Sequence, residues 1–279
     1  MNKTLLKRTI TGLIFVAVLG SGILYDSYSF LLITSIIAAA GVWEFYSLIE
    51  KAGRANISKA THAFGGFLLV VTFFLHACGR FGMEIFLVLI VYFLYTIISE
   101  LYLKKADPLQ NWAYIMLGQI YVALPLAVLC YLPFFPAEGN YNKVLPFAFF
   151  VIIWISDSGA YIAGSTFGRH PLFKRISPKK SWEGSLGGTC MSVVTALIFA
   201  HYFPHTLSTA AWIGMALITT VFGTLGDLSE SLLKRTIGIK DSGKILPGHG
   251  GILDRFDSVL LAAPACVLYL AAVNAMLPK

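Results

Sequence analysis

About nine stretches of roughly 20 apolar residues, joined by short polar loops, dominate this chain. They fall at approximately residues 10–25, 29–49, 62–78, 83–101, 112–132, 144–163, 186–203, 208–228 and 258–277. In hydrocarbon every backbone N–H and C=O must be satisfied internally, which leaves only helices or the strands of a closed barrel. Barrel strands would alternate polar and apolar residues over about ten positions, and no such alternation is present. The expectation is an all-α, polytopic integral membrane protein with about nine transmembrane helices. Only 13% of the 279 residues are charged and mean hydropathy is +0.75, too apolar to solvate the exterior of a soluble domain.

Basic residues set the orientation. Of the 21 Lys and Arg, 18 lie in alternate tails and loops and 3 in the others, which places the N-terminus and the basic loops in the cytoplasm and the C-terminus outside. Lys3, Lys7 and Arg8 before the first stretch fit a cleaved signal, but no small-residue cleavage site follows, so a retained first helix is expected. A net charge of +7 and a pI near 9.2 could indicate nucleic acid. Here the cations flank the bilayer, where anionic lipid attracts them, and no nucleic-acid partner is expected. Cys78, Cys130, Cys190 and Cys266 are dispersed without a Cys-x-x-Cys pair and read as free thiols.

No internal repeat appears. Residues 1–143 read as scaffold helices and 144–279 as the catalytic region of one continuous membrane domain, because half of the 14 acidic residues follow position 150. Glu44 and Glu100, near cytoplasmic helix ends, are expected to snorkel or to pair with nearby Lys.

Three segments converge on the cytoplasmic side in this topology: WISDSGAY, SPKKSWEG, and residues 223–257. On the eighth stretch Asp227, Glu230, Ser231 and Lys234 share one helical face. An ion pair or a solvated helix end is the plain alternative there. Asp254 and Asp257 fall on one side of a helix that begins near Leu253, and two carboxylates repel unless a cation lies between them. Capping explains one such Asp better than two, and carboxylates suit Mg2+ or Mn2+. Between these groups, KRTIGIKDSGKILPGHGG mixes glycines with cations, a composition suited to phosphates. Its Gly238-to-Lys244 stretch is no P-loop, because Ile245 stands where Ser or Thr binds the metal. In SPKKSWEG, Lys179 and Lys180 can grip a phosphate, Ser177 and Ser181 can donate hydrogen bonds, and Glu183 can hold a lysine or a metal. Asp157 is an intramembrane acid beside small residues, and His249 can donate to a phosphate.

Ser231 to Asp257, SLLKRTIGIKDSGKILPGHGGILDRFD, resembles the signature of the CDP-diacylglycerol synthase family, also called phosphatidate cytidylyltransferases. The matching positions are Ser231, Lys234, Arg235, Lys240, Asp241, Gly243, His249, Gly250, Gly251, Asp254, Arg255 and Asp257. DSGAYIAGSTFGRHP and SPKKSWEG also resemble the family, with Ser181 where Thr is commoner; residues 1–140 do so only in hydropathy and basic-loop rhythm. The resemblance implies transfer of a cytidylyl group from CTP to phosphatidic acid with a divalent cation. It implies Asp227, Asp254 and Asp257 as metal ligands and Asp241 as support for metal or nucleotide. Lys179, Lys180, Lys234, Arg235, Lys240, Lys244 and Arg255 would engage phosphates. Ser231 and His249 would contact substrate, with Asp157 and Glu183 behind them. A bacterial inner membrane, an active site facing the cytoplasm and a homodimer are compatible expectations. Two rivals are a CTP-dependent polyisoprenoid kinase and a transporter using Glu44, Asp157 and Asp227; the latter predicts inverted repeats, which are not found.

Overall fold

The computed structural model describes residues 3–136, 139–239, 242–243 and 250–276. Among these, every apolar stretch is helical. Eight helices are long and apolar enough to cross a membrane, and the first stretch forms a shorter apolar run, Thr9–Tyr25. The chain is a polytopic integral membrane protein. It contains two compact units, Met1–Tyr141 with Ile237–Phe256, and Asn142–Thr236 with Asp257–Lys279.

The first unit holds α1 (Lys3–Tyr25), α2 (Ser27–Lys51), α3 (Lys59–Ala77), α4 (Leu87–Leu103), α5 (Pro108–Gly118) and α6 (Leu124–Leu129). Between α1 and α2, Asp26 reverses the chain with a capping box. Its Oδ1 accepts the Ser29 amide at 2.7 Å and the Ser29 hydroxyl accepts the Asp26 amide at 3.0 Å, an arrangement worth about 1 kcal/mol. Asp107 caps α5 by accepting the Gln110 amide at 2.9 Å, with Pro108 in the first turn, where its missing N–H costs nothing. Helices α5 and α6 belong to one apolar span, Pro108–Phe134. A π-helical turn, Gln119–Ala123, interrupts it, and the Leu124 amide donates to the carbonyl of Gln119, five residues back. Pro125 follows directly and cannot donate to the carbonyl four residues earlier, so the ladder shifts there.

Polar side chains tie this unit together where lipid offers them no partner. The Tyr46 hydroxyl donates to the Ile115 carbonyl at 2.8 Å, and Gln119 Nε2 reaches the Tyr46 hydroxyl and the His62 carbonyl at 3.2 and 2.7 Å. Glu100 accepts from Lys105 at 3.0 Å and from Asn111 at 2.9 Å, which matches the expected pairing with a nearby lysine. Leu87, Val91, Leu94 and Leu101 of α4 are exposed, an outward apolar face suited to hydrocarbon and unsuited to water.

The second unit consists of α7 (Val144–Phe167), a two-stranded antiparallel hairpin β1 (Pro171–Phe173) and β2 (Ser177–Ser181), α8 (Trp182–Tyr202), α9 (Thr209–Thr236) and the part of α10 (Leu253–Met276) from Asp257 onward. Helices α7 and α8 meet along small residues. A Cβ at Gly188 would stand 2.7 Å from the Ser156 carbonyl, and one at Gly184 would stand 2.9 Å from the Ala160 carbonyl. Backbones therefore touch directly, the contact that small residues permit between membrane helices. Trp212 of α9 is fully buried and stacks on Phe199 at 5.5 Å.

Candidate active site

The second unit gathers acids from three helices. Asp157 lies in the C-terminal half of α7, Asp227 and Glu230 in that of α9, and Asp257 near the start of α10. Asp257 is half-buried, and its electrostatic neighbours are Asp227, Glu230 and Asp157. Its Oδ1 accepts the Ser258 amide at 2.6 Å. Gly226 makes this gathering sterically feasible: a Cβ there would overlap the Asp257 carbonyl oxygen and lie 3.2 Å from Ser258 Cα.

Two lysines interleave with the acids. Lys180, at the end of β2, pairs with Asp227, and Lys234 pairs with the buried Glu230 at 2.5 Å one helical turn away. Ser231 donates weakly to Asp227 at 3.4 Å. Lys180 and Lys234 thus pair with two members of a group of carboxylates drawn from three helices. Carboxylate oxygens are the donor type that suits a hard divalent cation. Among the described residues no three Asp, Glu, His or Cys side chains stand close enough to form a ready ligand shell, so the fit is one of donor type.

The hairpin that presents Lys180 was expected as a loop. Glu183 supports it from the first turn of α8 by accepting the Arg169 and His170 amides at 3.1 and 3.2 Å and His170 Nδ1 at 2.5 Å. A histidine and backbone amides are its partners here, in place of the lysine or metal expected from SPKKSWEG. Ser181 caps α8 by accepting the Gly184 amide at 3.1 Å. Lys179 is exposed beside Lys180. Arg235 and Arg255 are exposed, at the end of α9 and in the first turn of α10. Lys240, Asp241, Lys244 and His249 lie outside the described residues.

Asp254 belongs to the first unit. Its carboxylate accepts the Ser242 amide at 3.0 Å and the Gly251 amide at 2.8 Å, tying Ser242 to the turn at residues 250–253 where α10 begins. Asp254 stands in the first turn of α10 and its donors precede the helix, so it is not the N-cap weighed as the alternative for one aspartate of the pair. The same turn uses a residue the sequence reading set aside. Glu44, on α2, is 3% exposed and accepts the Ser242 hydroxyl at 2.8 Å, the Ile252 amide at 2.6 Å and the Leu253 amide at 3.2 Å. This corrects the expectation of a snorkelling or lysine-paired acid: the side chain points into protein, and neutral donors receive it. An acid within the apolar run GVWEFYSLIE was the available signal, since intramembrane carboxylates seldom lack a role.

A family model described as Cytidylyltransferase family matches residues 6–273. Among curated relatives, the phosphatidate cytidylyltransferase of Staphylococcus aureus (strain COL) is 47% identical over 115 residues, covering 41% of this chain and 44% of its own length. That of Haemophilus influenzae is 44% identical over 119 residues, 41% of either protein. That of Staphylococcus haemolyticus is 36% identical over 173 residues, 61% of this chain and 62% of its own length. The chain thus spans about half the length of the curated relatives it matches.

Proposed function

The chain belongs to the cytidylyltransferase family, and on that premise we propose that it transfers a cytidylyl group from CTP to phosphatidic acid, forming CDP-diacylglycerol and pyrophosphate. We place the reaction at the cytoplasmic face of a bacterial plasma membrane. The basic-loop bias supports that orientation, because SPKKSWEG and residues 223–257 fall on the Lys- and Arg-rich side.

The observation that carries the reading is the convergence of acids from two other helices on Asp257, with Lys180 and Lys234 paired among them. In the proposed reaction a phosphatidate oxygen attacks the α-phosphorus of CTP, and the bond from that phosphorus to the β-phosphate oxygen breaks. Pyrophosphate leaves with the electron pair. The nucleophile is already anionic, so no Ser-His pair is required to take a proton. The barrier lies in bringing anions together and in stabilising charge on the leaving group.

Lys180 and Lys234 serve both needs from within the cluster. A triphosphate competes with Asp227 for Lys180, moving that cation from carboxylate to phosphate. Lys179, Arg235 and Arg255 extend the positive surface, and Lys240, Lys244 and His249 are assigned the same role from sequence. Ser231 orients Asp227, Asp157 adds negative charge near Asp257, and Asp241 supports metal or nucleotide. Glu183 holds the hairpin so that Lys180 reaches the acids. Asp227, Asp254 and Asp257 are the proposed holders of Mg2+ or Mn2+, which supplies charge neutralisation for the triphosphate and the departing pyrophosphate.

The test is incubation of the purified full chain with base-labelled CTP, phosphatidate and Mg2+ in mixed micelles, followed by lipid extraction. Label in the lipid phase is expected. CTP consumed with a bare lipid phosphate as product, or no consumption of CTP, would overturn the proposal.

A further inference from the structure

We infer that Glu44 is a positioning residue that holds the turn at residues 250–253, where α10 begins, in its working shape, an inference that rests on the transferase reading above. The first amides of a helix have no partner within it. At α10 two of these orphan donors, those of Ile252 and Leu253, are received by a carboxylate from α2. The same carboxylate takes the Ser242 hydroxyl, and Asp254 takes the Ser242 and Gly251 amides. Ser242 is thus bound through its side chain by one acid and through its backbone by the other.

Glycines complete the arrangement. A Cβ at Gly243 or Gly251 would run into the Glu44 carboxylate, and Gly250 has φ +83°, in the left-handed region. Gly243 and Gly251 have no room for a side chain because Glu44 fills the space it would need. The turn leads directly into Asp254 and Arg255, so its shape bears on one group assigned to metal and one assigned to phosphates. Glu44 meets neither substrate nor metal in this scheme; it acts through the turn.

Glu44→Gln tests the inference, because its oxygen can receive the Ile252 and Leu253 amides only as a neutral acceptor, and its NH2 reverses the bond with the Ser242 hydroxyl. The expected result is a fall in kcat/KM for CTP of about 10²-fold, the cost of a displacement near 1 Å in a reacting site. Amide hydrogen exchange should accelerate at residues 250–253 and stay unchanged along α2. Ser242→Ala removes one of the three donors and should lose about tenfold in the same direction. The double variant should lose little beyond Glu44→Gln alone. Unchanged kcat/KM in a folded Glu44→Gln protein would overturn the inference, as would exchange that rises equally along α2 and α3. Should Glu44→Gln fail to fold, Ser242→Ala decides, and unchanged exchange at residues 250–253 in that variant refutes the anchor. Should the wild type place no label on lipid, the transferase reading falls, while exchange in the turn still decides the anchor.

Discussion

Gly226→Ala is the smallest change that should separate the acids from one another. The added Cβ would overlap the Asp257 carbonyl oxygen and stand 3.2 Å from both Ser258 Cα and Ser258 O. These are backbone atoms, so no rotamer change relieves the overlap, and an ordinary contact is restored only if α9 and α10 part locally by about 1 Å. Asp227 is the next residue and Asp257 the obstructed one, so the displacement falls on the two carboxylates assigned to one metal. A shift of that size in a reacting geometry costs about 10²-fold in rate, or about 2.7 kcal/mol of transition-state stabilisation. Gly223→Ala is the matched control, three residues earlier on α9, where the nearest atom is Ser258 Cβ at 3.6 Å, an ordinary contact. The assay is kcat for label transfer to lipid in purified, folded variants, with thermal unfolding measured in parallel. Gly226→Ala should lose about 10²-fold while Gly223→Ala stays within about twofold of wild type. Equal kcat in both variants would refute the argument that close backbone approach sets the carboxylate spacing.

Asp257→Asn should nearly abolish turnover without loss of membrane insertion; near-normal turnover in inserted protein would remove Asp257 from the proposed metal set. Lys180→Ala should lower kcat/KM for CTP by at least about tenfold, because it removes the cation that Asp227 and a phosphate share, and an unchanged value would return Lys180 to a structural ion pair. Glu100→Ala should lower stability by about 3 to 5 kcal/mol by leaving Lys105 and Asn111 without their buried acceptor. Reversible unfolding in detergent measures that loss, and a change below about 1 kcal/mol would contradict a buried, mutually dependent triad.

Hydropathy alone placed the helices, because each must close its own backbone hydrogen bonds within lipid and is long enough to be read as one apolar run. Hydropathy alone starts the span near residue 258, whereas α10 begins at Leu253, the start assumed in placing Asp254 and Asp257 on one side. The hairpin Pro171–Ser181 was less legible. Its strands are three and five residues long, and Glu183, 13 and 14 positions from its amide donors, holds it from outside. The π turn before Pro125 was implicit in the proline but does not interrupt hydropathy. At the candidate site, Asp227 and Glu230 share the face that helical spacing predicts, but their partners divide unexpectedly: Glu230 takes Lys234 four residues on, and Asp227 takes Lys180 from another element. Spacing rules reach the first kind of pair and miss the second. Glu44 was missed for the same reason. Its donors lie 198 to 209 residues away, and nothing local distinguishes a buried acceptor from an acid that escapes to the interface.

That separation also bears on how the chain is made. Synthesis proceeds from the N-terminus, so α2 exists long before Ser242, Ile252 and Leu253 leave the ribosome. For most of that time its carboxylate has none of these three donors, at an insertion cost that would reach about 2.5 to 3.5 kcal/mol at the bilayer centre and falls toward the interface. A helix inserted late, α10, therefore relieves a burden carried by the much earlier α2.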